Sequence, residues 1–460
     1  MLKTVLGVWA LLFGILLIMI GNGMQSTLMG IRGGLEGFST TQLSVVTSAY
    51  FLGFLVGSRV APVLIRRVGH VRVFAALGSF MSAGLIAFPL LVEPWAWVLI
   101  RLALGFCLSG VYVSAESWLN NKATNRTRGT VLSAYMLAQT LGMVGAQGLV
   151  GVAEANGFTP FVLASILVSF SFAPILLSAS PVPAADAIKP MSLRALYGKS
   201  PLGTVGTLLL GCVFAAQLGM ASVYGAAAGL STARVTTFIA MIFIGSIVFQ
   251  VPIGWLSDRI DRRFMILGVS AIGALACLTP WVLQPGFGGL LVAGFVMGGT
   301  ASPLYSLLMA YTNDYLELED MPAAAGGLLF IYGLGAVLGP LLTGQIMEWI
   351  GNEGFWLFLG LVFAGIAGWC LFRMTRREAP SVEEAGDYVN LVPTASAVAV
   401  TAAQEWSAEE SEAAAAAEAE AEEAERAERV AEERGASDGR SEDAAETAES
   451  QEDKQDGESR

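Results

Sequence analysis

Apolar runs of about twenty residues recur along the first 377 positions, divided by short polar breaks. A hydrocarbon core of roughly 30 Å needs about 20 apolar residues in helical form. On that length twelve segments stand out, at about 5–29, 41–65, 71–92, 95–117, 130–152, 158–178, 201–226, 234–253, 264–283, 287–311, 325–348 and 354–374. Most are too long and too uninterrupted for buried helices of a soluble protein, so the pattern predicts membrane spans. The first follows Lys3 in the manner of a signal peptide, but it is too long and lacks a small-x-small cleavage site, so it reads as span one. The longest polar interruption is residues 178–201, SASPVPAADAIKPMSLRALYGKSP. Six segments lie on each side of it, and faint self-similarity at an offset near 192–197 accompanies that division. The expected organisation is an N-terminal six-helix half at 1–178, a linker at 179–200 and a C-terminal six-helix half at 201–377. The fold class is all-α integral membrane.

Charge changes the picture at one boundary. The chain has 460 residues, a mean hydropathy of +0.62 and an acidic pI near 4.8. Residues 1–377 carry a balance of +7, and residues 378–460 a balance of −19, giving the net −12 of the whole. The acidic stretch is rich in Ala and Glu and poor in large apolar groups, so a disordered or solvated-helix cytoplasmic tail is expected. Glu422 with Arg426 and Glu425 with Arg429 are spaced i,i+4 on a helix expected at 404–434. A docking role, toward a basic partner or the chain's own basic loops, is the alternative to a merely solvated tail.

Lysine and arginine in short loops set orientation. With a cytoplasmic N-terminus, sixteen of them fall inside, only Arg32 and Arg234 fall outside, and Arg59 and Arg101 lie within spans. Both termini are therefore expected in the cytoplasm, with the chain multi-pass in a bacterial inner membrane.

Polar groups inside spans are costly and usually functional. Arg101, Gly105, Leu108, Tyr112 and Glu116 form one helical stripe, because each step is three or four residues. Asn22 and Gln25 share a face at i,i+3, and Tyr135 and Gln139 at i,i+4. Gln147, Gln217, Gln250, Tyr305 and Tyr332 complete a set that could line a neutral, hydrogen-bonding cavity or tie helices together. No Asp or Glu lies near the middle of a span, so an arginine with amides and tyrosines suits an anionic or neutral polar solute. A snorkelling role at the interface is the plainer alternative for Arg101.

Between spans eight and nine the chain reads GWLSDRIDRR, residues 254–263, and RRVGHVR, residues 66–72, sits at the corresponding place upstream. The first resembles the signature loop of the major facilitator superfamily, Gly-x-Leu-x-Asp-Arg-x-Gly-Arg-Arg. Gly254, Leu256, Asp258, Arg259, Arg262 and Arg263 match it, with Asp261 where a glycine is usual. In the upstream copy Gly69 is kept and Arg66 replaces the acid. RLALGFCLSG resembles the superfamily's span-four motif, which implies a cavity-facing Arg101 used in binding or proton coupling. YVSAESWLNNKATNRTRG and the overall layout resemble the bacterial YcaD-like branch, over residues 1–377. GLGAVLGPLLTG, residues 333–344, resembles an antiporter glycine–proline motif that belongs on span five, where this chain has glycines and no proline. Close helix packing is the plainer role for those glycines.

The resemblance implies twelve transmembrane helices in the major facilitator fold and a cytoplasmic gate. Glu116, near Arg66, Arg67, Arg72, Arg126 and Arg128, and Asp314, facing Arg259, Arg262 and Arg263, are the expected gate carboxylates. Asp258 is expected to cap span nine or to pair with span eleven. The implied activity is secondary transport of a small polar solute by alternating access, with proton coupling left open. A proton-driven exporter and a non-transporting receptor or scaffold are the alternatives. A nucleotide-driven pump is disfavoured, since GxxxxGK[ST] does not occur. One histidine, His70, and four cysteines inside spans without ligand spacing argue against metal chemistry, disulfides and enzymatic function. No cofactor or nucleic acid is expected; the partners are solute and membrane lipid, and the chain is expected to be a monomer.

Overall fold

The computed structural model describes residues 8–123, 125–151, 157–177, 191–317 and 320–376, and in the C-terminal segment residues 399, 400, 402, 403, 406, 420–423 and 426. The expected linker positions 179–190, and Glu425 and Arg429 of the tail, lie outside them. Among the described residues every regular element is helical.

The helices are α1 Trp9–Leu35, α2 Thr40–Val68, α3 His70–Leu90, α4 Pro94–Lys122, α5 Asn125–Gly151, α6 Thr159–Leu177, the short α7 Leu193–Lys199, α8 Pro201–Ala215, α9 Ala221–Ala227, α10 Thr232–Ser257, α11 Arg262–Leu283, α12 Phe287–Asn313, α13 Met321–Ile350 and α14 Gly354–Met374. A single π-turn, Ala216–Met220, joins α8 to α9. Every apolar segment read from the sequence lies largely within one of these rods. Among the described residues ten stretches, with α8 to α9 counted as one, are long and apolar enough to cross a membrane; α5 and α6 are not among them.

The ends of the rods are set by short polar devices. Ser39 accepts the Gln42 backbone N–H at 3.1 Å while the Gln42 side chain accepts the Ser39 N–H at 2.9 Å, a reciprocal cap that starts α2. Pro94 and Pro201 occupy the first turns of α4 and α8, where a missing N–H costs nothing. Between α2 and α3 the chain turns on one residue, Gly69, at φ 87°, a backbone region a side chain would strain. That is why this glycine persists in the otherwise worn upstream copy of the basic loop. At α11 it is Asp261, not Asp258, that caps the helix, accepting the Arg263 N–H at 2.9 Å. The residue that departs from the signature loop therefore starts the helix.

The pairing of helices repeats. In the first set α2 packs on α4, α1 on α5 and α6, and α3 on α4 and α6; in the second α10 packs on α12, α8 on α13 and α14, and α11 on α12 and α14. Glycines make the closest crossings. A Cβ on Gly105 would strike the carbonyl of Tyr50, and one on Gly53 that of Leu102, so α2 and α4 meet backbone to backbone. Gly245 against Phe295 and Gly298 against Ile242 do the same for α10 and α12. Gly335 and Gly339 of the glycine run meet the backbone of α8 at Leu208 and Cys212, which makes that run a packing surface. Hydroxyls add local ties: Ser82 lies 2.7 Å from Ser165 and 2.8 Å from Ser169, and Thr27 donates to Gln147 at 2.9 Å.

Large apolar groups such as Phe80, Trp95, Leu99, Val251, Leu275 and Trp349 face outward. That inverts the soluble pattern and fits a hydrocarbon surround. The four cysteines are buried and free, as packing residues. The compact unit continues past the expected end at residue 377 to Trp406, and residues 407–460 form a second unit. In the second unit Glu420, Ala421, Glu422, Glu423 and Arg426 are helical and exposed.

Three outcomes test this packing. Gly105→Leu should cost about 3 kcal/mol, the upper end of over-packing, because the obstacle is backbone rather than a movable side chain. Gly148→Ala, where nothing stands within 4 Å, should leave unfolding of the detergent-purified chain unchanged or shifted upward. Arg262→Ala should cost about 3–5 kcal/mol by stranding buried Asp314, whereas Arg262→Met with Asp314→Leu should recover much of it.

Candidate functional site

A cavity lies at mid-length between α1, α2, α4 and α5 on one side and α8, α10, α12 and α13 on the other. Its wall is mainly apolar, with Leu108, Met143 and Phe214 among the lining groups. Asn22, Tyr50, Gln139, Gln217 and Tyr332 supply hydrogen-bonding groups from five different elements. Gln217 is carried by the π-turn, a local widening of the rod that often accompanies functional positions. The Gln217 Oε1 and the Tyr332 hydroxyl are buried without a hydrogen-bond partner at those atoms. Such atoms, costly in isolation, are available to a polar solute.

Arg101 stands one layer behind this wall. It is 1% exposed, and its Nη1 donates to Gln25 Oε1 at 2.6 Å. Its guanidinium carbon lies 4.2 Å from the centre of the Tyr50 ring. Tyr50 in turn donates its hydroxyl to Asn22 Oδ1 at 3.1 Å, and both residues line the cavity. The chain Gln25–Arg101–Tyr50–Asn22 thus connects a buried cation to the cavity floor. Among the described residues no carboxylate pairs with Arg101, and both Arg101 Nε and Gln25 Nε2 are buried without partners. A cation–π contact and one amide offset only part of the cost of a charge held out of water.

The stripe read along α4 holds in part. Leu108 and Tyr112 reach the cavity, Gly105 is consumed by the contact with Tyr50, and Arg101 is covered by that same tyrosine. Of the amide candidates, Asn22, Gln139 and Gln217 line the cavity; Gln25 lies behind it on Arg101, and Gln147 ties α5 to α1. Gln250 is buried on α10 away from the lining, so the structure does not bring it to this site. Tyr332 lines the cavity with Tyr305 behind it, ring centres 5.3 Å apart. Tyr50 was missed in the sequence because SAYFLG reads as ordinary apolar helix. Its one visible signal is a hydroxyl in a span that also carries the glycine Gly53.

One end of the bundle carries the helix breaks at 69, 123, 258–261 and 314–317, and most of the basic side chains. Arg262 is buried there against Asp314, joining α11 to α12, and it also donates to the Ala310 carbonyl at 3.4 Å. Arg263 grips Asp261 at 2.8 Å. Arg259 turns back on its own helix, donating to the Trp255 carbonyl at 2.9 Å and lying 4.1 Å over its ring. Of the three arginines expected to face Asp314, Arg262 thus makes the contact, and all these ties stay within the second set of helices. Gly254 is buried on α10 and Asp258 ends that helix. Glu116 is 1% exposed and accepts the Tyr135 hydroxyl at 2.9 Å, so it sits inside the first set rather than at a loop. Arg66, Arg67 and Arg72 are exposed, while Arg128 is half-buried on the first turn of α5.

The two sets of helices meet toward the opposite end. Glu348 accepts the hydroxyls of Thr40 and Thr41 at 2.8 and 3.2 Å. Nearer the cavity Ser48 donates to the Val337 carbonyl at 2.6 Å, and Gly30 of α1 lies against Ser222 and Val223 of α9. Arg59 lies 4.3 Å over the Phe330 ring.

These features have counterparts among known proteins. The Major Facilitator Superfamily profile matches residues 203–409, and the profile described as Sugar (and other) transporter matches residues 9–179. A protein of Enterobacter sp. (strain 638), named as an uncharacterized MFS-type transporter, is 30% identical over 347 residues, covering 74% of this chain and 88% of that protein. The MFS-type transporter YcaD of Escherichia fergusonii is 28% identical over 348 residues, covering 74% and 89%. The crystal structure of the nucleoside transporter NupG superimposes with a TM-score of 0.64 at 15% identity, covering 80% of this chain and 99% of that one. A mutant form of NupG gives 0.66. Multiple membrane-spanning helices, their repeated pairing and these relatives lead to one assignment: the chain belongs to the major facilitator superfamily and is a YcaD-like membrane transporter.

Proposed function

We propose that this chain is a secondary transporter that carries a small polar solute, preferentially an anion, through the cavity between two six-helix halves. In this reading twelve helices span the bacterial inner membrane and both termini are cytoplasmic. The observation that carries the substrate class is Arg101, a buried cation partnered by an amide and an aromatic face but by no carboxylate among the described residues. An anion entering at Asn22 and Tyr50 reaches it once the Tyr50 ring moves aside. The charge-assisted contact it then makes offsets the cost of the buried guanidinium. Asn22, Gln139, Gln217 and Tyr332 orient the rest of the solute by hydrogen bonds.

Direction follows from the two ends. The end rich in arginine is the cytoplasmic one by the positive-inside tendency. The hydrogen bonds between the halves gather toward the other end, so the cavity faces the cytoplasm in this conformation. Alternating access then requires the Thr40–Thr41–Glu348 and Ser48–Val337 contacts to break as the halves rock. Arg262–Asp314 and Glu116–Tyr135 lie within halves and can move as parts of rigid bodies. Arg66, Arg67, Arg72 and Arg128 are the groups left to meet the other half when the inner end closes.

The test is ligand-induced thermal stabilisation against organic anions, sugars, amino acids and cationic drugs, with nucleosides included because NupG is named for them. A bound solute at 100 times its Kd should add roughly 2.7 kcal/mol of stability. An organic anion should do so in the native chain and fail in Arg101→Ala, with Arg101→Lys intermediate; an anion response unchanged in Arg101→Ala overturns the assignment. Glu348→Ala should weaken the outer contact by about 1 kcal/mol, the scale of a charged but solvent-screened hydrogen bond. A thiol placed at Thr47 should then label about fivefold faster from the periplasmic face.

A further inference from the structure

We propose that Ala399, Val400, Ala402, Ala403 and Trp406 belong to an intrinsic plug, seated by the chain's own C-terminal segment at the inner mouth of the transport cavity. The segment comes from a stretch whose composition predicts solvation, yet its described residues are not solvated. Ala399, Val400, Ala402 and Ala403 are helical and between 0% and 2% exposed. At 100° per residue these four positions fall within an arc of about 160°, so one whole face of the helix is covered. They belong to the same apolar core as the membrane helices.

Trp406 fixes where the segment sits. Its indole ring lies 2.5 Å from the place a Cβ on Gly129 would occupy, so glycine there makes room for the ring. Gly129 is buried in the first turns of α5 at the basic end. On α5 the residues Gly129, Met136, Thr140 and Met143 follow one stripe, within about 60° of each other at 100° per residue. Thr140 and Met143 on that stripe line the cavity. Trp406 therefore rests on the cavity-facing side of α5, about 16 Å below Thr140 at 1.5 Å per residue. From Met374, where α14 ends at the same end of the bundle, the intervening chain is long enough to reach it: 24 extended residues span about 80 Å.

The consequence is regulatory. A helical segment wedged at the inner mouth covers the route to Asn22 and Tyr50 and holds the halves from closing there. Release of the segment then becomes a condition for transport. This rests on the proposed cytoplasmic orientation for its function but not for the contact itself.

The experiment uses the full chain in membrane vesicles, with Cys107, Cys212, Cys277 and Cys370 replaced by alanine. Oxidation of the Gly129→Cys, Trp406→Cys pair should give a disulfide, read by mass spectrometry after digestion, where the Gly148→Cys, Trp406→Cys pair should not. Equal yields overturn the contact. Thr140→Cys is then labelled with a membrane-impermeant maleimide in inside-out vesicles, alone and combined with Trp406→Ser or Gly129→Val. Labelling should be about tenfold faster in the combined variants, the factor for freeing a segment bound roughly nine-tenths of the time. Equal rates in all three overturn the plug. Labelling only from the opposite membrane face overturns the transport orientation, and the disulfide alone then decides the contact.

Discussion

Helices in hydrocarbon gain little by burying leucine against leucine, because lipid is equally apolar, so their pairing depends on how closely backbones approach. In this chain that approach is made by glycine at matched crossings: Gly53 and Gly105 between α2 and α4, Gly245 and Gly298 between α10 and α12, Gly335 and Gly339 against α8. At each, a Cβ would meet a main-chain carbonyl or amide rather than a side chain that could yield. The repeat of the pairing scheme in the two sets of helices follows from these contacts more directly than from the faint repeat in the sequence.

The site inherits its geometry from one of those crossings. Gly105 lies a turn along α4 from Arg101, and what it touches is the carbonyl of Tyr50. The same contact that brings α2 onto α4 lays the Tyr50 ring over the guanidinium and sends its hydroxyl to Asn22. Packing and chemistry are thus one arrangement in this region. Moving the tyrosine exposes the cation to the cavity without separating the helices, since the main chain can stay where glycine holds it.

The two ends of the bundle are built differently. At one, contacts between the sets are single hydrogen bonds from hydroxyl groups, each worth about 1 kcal/mol net and therefore breakable together. At the other, the ion pair Arg262–Asp314 is buried within one set, where breaking it would strand a charge. Strong ties hold parts that move as units, and weak ties lie where parts must separate.

Much of this was legible in the chain itself. Segment length and spacing located the rods, because the hydrocarbon thickness fixes how many residues a crossing takes. The basic loops marked one end, and the scarcity of charge inside the spans drew attention to Arg101 and Glu116. Tertiary structure decided the rest. Asp261 rather than Asp258 caps α11, since a cap depends on where the helix turns and not on motif position. Gln250 falls away from the cavity and Tyr50 joins it, because the way a helix faces is set by its neighbours when it is apolar all round. Glu116 is held by Tyr135 inside the bundle rather than at a loop. The last part of the compact unit, Ala399 to Trp406, carries no pattern that separates it from an acidic tail. Its burial depends on a vacancy at Gly129, some 270 residues upstream. Local sequence fixes how long a helix is and how costly its polar groups are; only the fold determines which distant surface satisfies them.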